Sequence, residues 1–250
     1  MAGEVYLERL QVVDSTNRYI RDNAVRLWHQ AKGCKAVCVT AESQTAGRGQ
    51  RGNVWHSQQG VNLLFSIMVR PLFLSASRQF LLSEAVALAI RRVLLSYGIN
   101  AMLKWPNDIY IDCRKISGVL IEIDYSGCSV EQAIIGIGIN VNQTEFPSMD
   151  KNPVSMKTLL GHSVDRDELL LRIFDAFMHY YDILRCDDAS YLHSEYRQYL
   201  LGLGEERSYI DEAGAFKAVI EDVEPTGHLL LRRDDGSLAR YAFKEVQQFV

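Results

Sequence analysis

The sequence lacks several features that would assign it to a specialised class of protein. Its five cysteines include no CxxC pair and their number is odd, which argues against a zinc knuckle and a disulfide framework. The net charge of -4 gives no reason to expect nucleic acid or an anionic membrane as partner. The longest apolar stretches, near residues 63–69 and 80–90, are too short or too interrupted to span a membrane. Residues 1–10 contain no apolar run, so we expect no signal peptide and a cytoplasmic location.

What the sequence does contain is an ordinary globular composition, with 48% hydrophobic and 23% charged residues over 250 positions. A chain of this length buries a full core without metals or disulfides. After Gly202 and Gly204 the pattern changes to short strands separated by turns, which is typical of a small β-barrel of about fifty residues. We therefore predict a boundary near residue 203, with domains at residues 1–203 and 204–250.

Capping signals and hydrophobic periodicity predict three main helices and a series of strands. One helix begins after three possible caps at residues 14–16, and another begins at a capping box at residues 165–168. A long helix over about residues 76–97 has one narrow polar stripe, so we expect it to be mostly buried. Strands are predicted at residues 36–41, 61–69, 102–105, 109–111, 116–123 and 132–141, and then at 208–211, 216–223, 229–233 and 240–243.

Residues 44–52 form a glycine-rich loop that suits an anionic ligand. Three glycines alternate with polar residues, so the backbone can adopt positive φ and point N–H groups inward. Arg48 and Arg51 add positive charge in the fork geometry that binds carboxylate or phosphate. Because such a loop is costly to hold still, we predict that it is disordered when empty and ordered when filled. An ordinary surface loop with solvated arginines has the same composition and stays an open alternative.

A second segment, Lys104-Trp105-Pro106-Asn107-Asp108, is followed by Lys115. Proline fixes its own φ and restrains the preceding residue, so the segment forms a rigid corner between two strands. If the strands after the corner form a hairpin, Lys115 returns to the same edge of the sheet. Two lysines and an acid at one edge suit phosphates and a magnesium ion, although surface charges on a sheet rim give the same pattern.

A third segment runs from Gly136 to Asn142 along a predicted strand, whose side chains alternate between two faces. One face is apolar and belongs to the core. The other face carries Gly136, Gly138, Asn140 and Asn142, a strip without side chains followed by two amides. We interpret the strip as a surface for a flat ligand whose polar end binds the amides. Close packing of another element over the glycines is the alternative, although it leaves the asparagines unexplained.

Together these segments resemble the biotin protein ligase family, also called biotin–acetyl-CoA-carboxylase ligase. The similarity covers about residues 10–145, and the small C-terminal barrel also fits. Any one motif is a weak signal, whereas all five in order are a specific one. The motifs are Asp14-Ser15-Thr16-Asn17, Gln44 to Gly52 with Trp55, Lys104 to Asp108, Lys115 with Gly118, and Gly136 to Asn140.

The resemblance implies an α+β fold like the catalytic domain of a class II aminoacyl-tRNA synthetase, a mixed β-sheet flanked by helices, followed by the small C-terminal β-barrel. It also implies an enzyme that uses ATP and Mg²⁺ to form biotinyl-5'-AMP. Biotin then passes to a lysine of a biotin carboxyl carrier protein, which belongs to acetyl-CoA carboxylase or a related carboxylase. Neither nucleic acid nor membrane is an expected partner, and a homodimer is compatible with the resemblance.

The resemblance further assigns roles to individual residues. Lys115, Arg48 and Asp108 would be catalytic, and Mg²⁺ bound to ATP would lie near Asp108. Trp55 would pack near the adenine. Biotin would be bound by Ser15, Thr16, Asn17, Gln44, Gly47, Arg48, Gly49, Gln50, Lys115 and Gly118. ATP would be bound by Arg48, Arg51, Trp55, Lys104, Asn107, Lys115 and Asn140.

Two departures from the family pattern lead to further expectations. Many members have an arginine at the position of Gln50, and a neutral amide should hold an acyl phosphate less firmly than a guanidinium. Retention of the intermediate is therefore expected to differ. Only 14 residues precede Ser15, whereas members that repress transcription carry an N-terminal helix-turn-helix domain, so we expect no operator binding.

Two other functions stay open. A lipoate or octanoate ligase or transferase shares the broader fold, but a linear fatty tail calls for a longer apolar tunnel. The polar residues 15–17 and Gln44 instead suggest contacts to a ureido ring. A non-catalytic sensor for biotin or nucleotide would bind without turnover, and the joint presence of Lys104, Asp108 and Lys115 argues against it.

Overall fold

A computed structural model describes residues 5–147, 152–186 and 188–249, apart from the side chain of Arg51. No helix within these ranges is long and apolar enough to cross a membrane. The helices are α1 (Thr16–Gln30), α2 (Phe80–Ser96), α3 (Met156–Leu160), α4 (Arg166–Arg185) and α5 (Ala189–Gln198). The strands are β1 (Val5–Val13), β2 (Ala36–Gln44), β3 (Leu63–Val69), β4 (Met102–Lys104), β5 (Asp108–Ile111), β6 (Arg114–Ser126), β7 (Ser129–Ile139), β8 (Glu206–Asp211), β9 (Gly214–Val223), β10 (Leu229–Arg233), β11 (Leu238–Tyr241) and β12 (Gln247–Gln248).

The first sheet has seven strands in the order β1-β2-β3-β7-β6-β5-β4. Strands β1 and β2 run parallel and the other neighbouring pairs are antiparallel, so the sheet is mixed. Helix α1 packs on one face, where Ile20 and Leu27 meet Val37, Val39 and Met68. Helices α2 and α4 contribute to the core on the other face. A mixed sheet flanked by helices confirms the predicted α+β architecture.

Helix α2 is almost entirely buried, as its narrow polar stripe predicts. It begins later than expected, because residues Ala76–Arg78 form a separate 3-10 turn. The buried polar residues of the stripe have partners: Arg91 donates from Nε to the carbonyl of Ala101 at 3.0 Å, and Glu84 contacts His193. Burial of each large aliphatic side chain stabilises the fold by about 1.5–3 kcal/mol, so this helix is central to the core.

Two capping predictions are confirmed only in part. Ser15 occupies the N-cap position of α1, but its side chain makes no capping hydrogen bond. Asp165 does cap α4, since its Oδ1 accepts from the backbone N–H groups of residues 167 and 168. The carboxylate of Glu168 pairs with Arg172 at 2.6 Å instead of reaching back to the cap.

The second sheet is antiparallel and has five strands in the order β11-β10-β9-β8-β12. It packs directly against the first part of the chain. Trp105 donates from Nε1 to the carbonyl of Gly227 at 2.9 Å. The ring of Phe243 lies 5.9 Å from the ring centroid of Phe80 and 5.5 Å from that of Trp105. Gly227 has a φ of +94°, and a Cβ there would lie 2.8 Å from Phe243, so only glycine suits this contact.

A titrating cluster also joins α2, α5 and β9. Nδ1 of His193 lies 2.8 Å from Oε1 of Glu84, and Nε2 lies 3.1 Å from Oδ1 of Asp222, which Arg197 also contacts at 3.2 Å. The hydrogen bond to Glu84 raises the pKa of His193, and burial raises the pKa of Glu84. Both shifts mean that the pair retains a proton to higher pH when folded than when unfolded.

We therefore expect the protein to lose stability as the pH rises through the raised pKa of His193. A histidine whose pKa is higher in the folded state than the unfolded value of about 6.5 stabilises the fold fully below the unfolded pKa. This stability is lost as the pH rises through the folded-state pKa. One proton changes the free energy of unfolding by at most about 1.4 kcal/mol per pH unit. Thermal unfolding between about pH 6 and 9 measures the slope. His193→Gln, which does not titrate, should flatten it, and equal slopes in both proteins would refute the expectation.

Candidate active site

A cavity of about 460 Å³ opens on the face of the seven-stranded sheet that carries α1. Its walls come from the start of α1, the loop after β2, the corner between β4 and β5, strands β6 and β7, and β12. The volume lies within the range of small-molecule sites, about 300–1,000 Å³. The predicted site residues that line it are Ser15, Thr16, Asn17, Gln44, Arg48, Gly49, Gln50, Trp55, Lys104, Asn107, Asp108, Lys115, Gly118 and Asn140.

Gly47 is a predicted site residue that is not among the lining residues. Gly47 is buried, and a Cβ there would lie 2.6 Å from the carbonyl oxygen of Trp55. The N–H of Trp55 donates to the carbonyl of Gly47 at 3.0 Å, so this glycine lets the two arms of the loop touch. Gly47 therefore shapes the loop instead of lining the cavity. The side chain of Arg51 lies outside the described part of the structure.

The floor of the cavity is built on Gly136 and Gly138. A Cβ at Gly136 would lie 2.3 Å from Oδ1 of Asn17, and one at Gly138 would lie 2.5 Å from the indole ring of Trp55. Approach this close requires glycine at both positions. The strip is therefore not bare, because Asn17 and Trp55 lie on the glycines as the close-packing alternative predicts. Both glycines are still partly exposed and line the cavity, so the two alternatives hold together.

The two asparagines after the strip differ in what they contact. Asn140 lines the cavity, and its Nδ2 donates to the carbonyl of Lys115 at 3.4 Å. Asn142 instead accepts from the N–H of Val164 and donates to its carbonyl, both at 2.9 Å. The predicted ligand contact of Asn142 is therefore wrong, because both ends of its amide are used to hold residue 164.

Buried polar groups run beneath one part of the cavity. Oε1 of Gln44 accepts from the N–H of Thr16 at 2.7 Å and lies 3.1 Å from Oγ1 of Thr16. Oγ of Ser66 lies 2.7 Å from Oγ1 of Thr16 and 2.6 Å from Oδ1 of Asn17. The register explains the last contact: Ser66 pairs with Gly136, so its hydroxyl reaches Asn17 beside a residue without a side chain.

The hydroxyl groups in these contacts have too few protons to make every contact a hydrogen bond. Nδ2 of Asn17 donates to the carbonyl of Leu120 at 3.2 Å, and Gln44 accepts from a backbone N–H, so the orientations of both amides are fixed. The hydroxyls of Thr16 and Ser66 then have two protons for three oxygen–oxygen contacts. One of the three oxygen–oxygen contacts therefore carries no hydrogen bond.

Another part of the cavity is cationic. Nζ of Lys115 pairs with Oδ1 of Asp108 at 2.6 Å, and the two side chains are only 22% and 20% exposed. Nζ also lies 5.7 Å from the ring centroid of Trp55 and 3.1 Å from the place a Cβ on Gly118 would take. Strands β5 and β6 are antiparallel, which confirms the predicted hairpin that returns Lys115 to this edge. Gly118 thus leaves room for the lysine.

The corner before this hairpin supplies two more cavity residues. Nζ of Lys104 lies 5.0 Å from the ring centroid of Tyr110. Asn107 is tied to the sheet, because its Nδ2 donates to the carbonyl of Val119 and its own carbonyl accepts from the N–H of Val119 at 2.9 Å. The Oδ1 of Asn107 is thus presented by a fixed amide, as a binding residue requires.

The glycine-rich loop is folded over the cavity. Arg48 and Val54 form an isolated antiparallel bridge, and the N–H of Gly49 donates to the carbonyl of Asn53 at 2.7 Å. Nη2 of Arg48 contacts Oε1 of Glu122 at 2.9 Å. Gln50 lies in a short 3-10 turn at the tip. This arrangement brings Arg48 to the same cavity as Lys115, from a segment far away in sequence.

Sequence reasoning missed several residues of the site. Ser66 is the one hydroxyl in the otherwise apolar strand β3, and this interruption was a usable signal. Glu122 resembles an ordinary solvent-facing residue of an alternating strand, so nothing local marks it. Several lining residues of the cavity also depend on tertiary contacts that no local pattern reveals, among them His56, Phe146, Pro153, Val246, Gln247 and Gln248.

The cavity does not contain a ready-made metal site. The described residues include no group of three or more His, Cys, Asp or Glu side chains that could hold a metal ion. Asp108 is the one carboxylate among the described residues that line the cavity, and it already pairs with Lys115. A single carboxylate suits only Mg²⁺ that is already bound to the phosphate oxygens of a substrate, since such an ion is usually coordinated by one or two protein carboxylates.

Comparison with known proteins agrees with this geometry. The profile of the Biotin/lipoate A/B protein ligase family matches residues 10–140. The chain is 30% identical to a biotin–[acetyl-CoA-carboxylase] ligase of Paracoccus denitrificans, over 89% of this chain and 92% of that protein. It is 34% identical to the bifunctional ligase/repressor BirA of Bacillus subtilis, over 81% of this chain but only 63% of the length of that relative. A solved biotin protein ligase from Aquifex aeolicus, in complex with biotin and ATP, superposes with a TM-score of 0.80 at 27% identity and 97% coverage of both chains.

Proposed function

The chain belongs to the Biotin/lipoate A/B protein ligase family, and we propose that it is an ATP-dependent biotin–protein ligase. The observation that carries the proposal is that cations from two distant segments, Arg48 of the loop and Lys115 of β6, line one cavity. The proposed substrates are biotin, ATP and a specific lysine of a biotin carboxyl carrier protein. The named relatives and the Aquifex complex with biotin and ATP support this choice of ligands.

The first proposed step joins two anions. A carboxylate does not acylate an amine at neutral pH, because hydroxide is a poor leaving group. The biotin carboxylate therefore attacks the α-phosphorus of ATP, the bond to the β-phosphate oxygen breaks, and biotinyl-5'-AMP and pyrophosphate form. Arg48, Lys104 and Lys115 offset the repulsion of the reactants as they approach. Asp108 would be the residue to contact Mg²⁺ bound to ATP, and that ion would supply further positive charge to offset the phosphates.

The second proposed step transfers biotin to the acceptor. The lysine amine attacks the acyl carbon, and AMP leaves. That amine must be neutral, although its ordinary pKa is about 10.4. Asp108, which lines the cavity beside Lys115, is our candidate to accept or relay its proton. The loop over the cavity keeps water from the mixed anhydride between the steps.

The polar chain beneath the cavity favours biotin over a lipoyl or octanoyl chain. Thr16, Asn17 and Gln44 line this part of the cavity with polar groups, and a ureido ring offers N–H and carbonyl groups for hydrogen bonds that a linear fatty tail lacks. ATP–pyrophosphate exchange measured in parallel with biotin and with lipoate tests this assignment. Exchange that depends on biotin alone is the expected result, and exchange that depends on lipoate alone would replace the proposal with the alternative.

We also propose a finer description of the fold. The mixed sheet and its helices are taken as a class II aminoacyl-tRNA synthetase-like catalytic domain at residues 1–203. The antiparallel sheet is taken as a small β-barrel domain at residues 204–250. The change from a mixed to an antiparallel sheet between α5 and β8 supports this division. Within the catalytic domain, we assign Ser15, Thr16, Asn17, Gln44 and Gly118 to biotin, and Trp55, Asn107 and Asn140 to ATP.

Gln50 is expected to weaken retention of the intermediate. It lines the cavity, and a charged donor there should bind the acyl phosphate more firmly than the neutral amide. Gln50→Arg is therefore expected to slow release of biotinyl-5'-AMP by about three- to tenfold. Release can be followed by chasing radiolabelled adenylate with unlabelled biotin and ATP. The control is Gln59→Arg, at an exposed position outside the cavity. Equal release from Gln50→Arg and the wild type would contradict the expectation.

A further inference from the structure

We propose that Glu122 is a positioning residue that ties the glycine-rich loop to the floor of the cavity, an inference that rests on the proposed function. Glu122 lies on β6 and is not one of the described residues that line the cavity. Its Oε1 accepts from Nη2 of Arg48 at 2.9 Å, and its Oε2 accepts from Nδ2 of Asn17 at 3.1 Å. One carboxylate therefore holds a residue of the loop and a residue of the floor together.

The contacts continue from Asn17 to the base of the same loop. They pass through Ser66 and Thr16 to Gln44, the last residue of β2. Gln44 lies at the base of the loop and Arg48 lies within it, so the chain of polar contacts connects two parts of the loop and runs beneath the cavity. A ligand that contacts the floor thus acts on side chains that also hold the loop, and Glu122 is the link between the two.

The solvent exposure of the Arg48–Glu122 ion pair indicates how strongly it can hold the loop. The side chain of Arg48 is 48% exposed and that of Glu122 is 18% exposed, and pairs this open to water shift an equilibrium by a factor of about five at most. The pair therefore biases the loop toward the closed position without locking it. Arg48 can leave Glu122 for an anionic reactant, since both offer charge-assisted bonds of the same kind.

Glu122 keeps other partners when Arg48 moves. Nη2 of Arg21 on α1 lies 3.9 Å from its Oε2, and the amide of Asn17 still donates to the same oxygen. The carboxylate is thus never left without a counter-charge. This makes an exchange of Arg48 between Glu122 and substrate feasible, and it keeps Asn17 fixed while the exchange takes place.

The test uses hydrogen–deuterium exchange of residues 46–54 in the ligand-free protein, together with calorimetric titration of biotin. Glu122→Gln removes the charge and one acceptor. We expect loop exchange to rise about two- to fivefold and biotin affinity to fall by about the same factor. Arg48→Gln should raise loop exchange by the same factor. The double variant should raise it no further, because both substitutions break the same contact. The control is Asp124→Asn, which lies two residues along the same face of β6. Asp124 is 44% exposed and pairs with Arg21 at 3.3 Å. Its substitution should leave loop exchange and biotin affinity unchanged.

The possible outcomes separate the two proposals. Wild-type loop exchange in Glu122→Gln, or additive effects in the double variant, would overturn the role of Glu122. If Glu122→Gln does not fold, Arg48→Gln tests the same contact. Loop exchange in Arg48→Gln equal to that of the wild type would also overturn the role of Glu122. Failure of the wild-type protein to bind biotin would instead refute the proposed function, because the loop measurement is made without ligand.

Discussion

Replacing Lys115 with alanine is expected to lower biotin-dependent ATP–pyrophosphate exchange by about 100- to 1,000-fold, the effect of removing one preorganised charge from a transition state. Lys115 is mostly buried, pairs with Asp108 at 2.6 Å and lies beside the Trp55 ring. Its ammonium is therefore held in the cavity before any reactant arrives. Its loss would leave the carboxylate and the α-phosphate to approach each other without this charge.

The control for this prediction is Lys217→Ala. Lys217 lies on the second sheet, is 62% exposed and pairs with Glu206 at 2.7 Å, so its removal should leave exchange within about twofold of wild type. Thermal unfolding of both variants shows whether either change affects folding. Wild-type exchange in Lys115→Ala would remove this residue from the mechanism.

Replacing Gly136 with alanine is expected to lower biotin affinity by about 10- to 100-fold, because a buried amide is displaced from its partners. The new Cβ would lie 2.3 Å from Oδ1 of Asn17. Asn17 cannot yield cheaply, since its amide is held by Ser66, Leu120 and Glu122. We expect little change in nucleotide affinity, because the clash is confined to the part of the floor proposed to bind biotin.

Gly138→Ala serves as the matched control on the same strand. Its Cβ would lie 2.5 Å from the indole ring of Trp55, which we assign to the adenine. This variant should weaken nucleotide binding more than biotin binding. Titration of each variant with biotin and with a non-hydrolysable ATP analogue gives the comparison. Loss of the same ligand in both variants, or wild-type biotin affinity in Gly136→Ala, would contradict the proposed division of the cavity.

Local patterns predicted most of the helices and strands, although not β1, α3, α5 or β12, and they predicted three segments of the site. The glycine-rich loop, the corner at residues 104–108 and the strand around Gly136 do meet at one cavity. Each segment contains residues with unusual backbone properties, such as glycines that can adopt positive φ or a proline whose φ is fixed, and these make it recognisable from sequence. The sequence could not show what covers the glycine strip, because a glycine indicates only that something lies close and does not distinguish a ligand from Asn17 or Trp55.

The residues that sequence reasoning missed are those whose role comes from distant contacts. Glu122 holds Arg48 across 74 positions of sequence, and Ser66 meets Asn17 across 49. Val246 to Gln248 reach the cavity because the second sheet packs on Trp105 and Phe80. Such placements depend on the packing of elements against each other, and hydrophobic periodicity does not encode them locally.

The most direct test of the central claim is intact-mass spectrometry of a biotin carboxyl carrier domain after incubation with this protein, ATP, Mg²⁺ and biotin. We expect the carrier to gain one biotinyl group on a single lysine, with no gain when ATP is omitted and almost none with Lys115→Ala. A carrier that stays unmodified with the wild-type protein and all substrates present, while a ligase of known activity modifies the same preparation, would contradict the account.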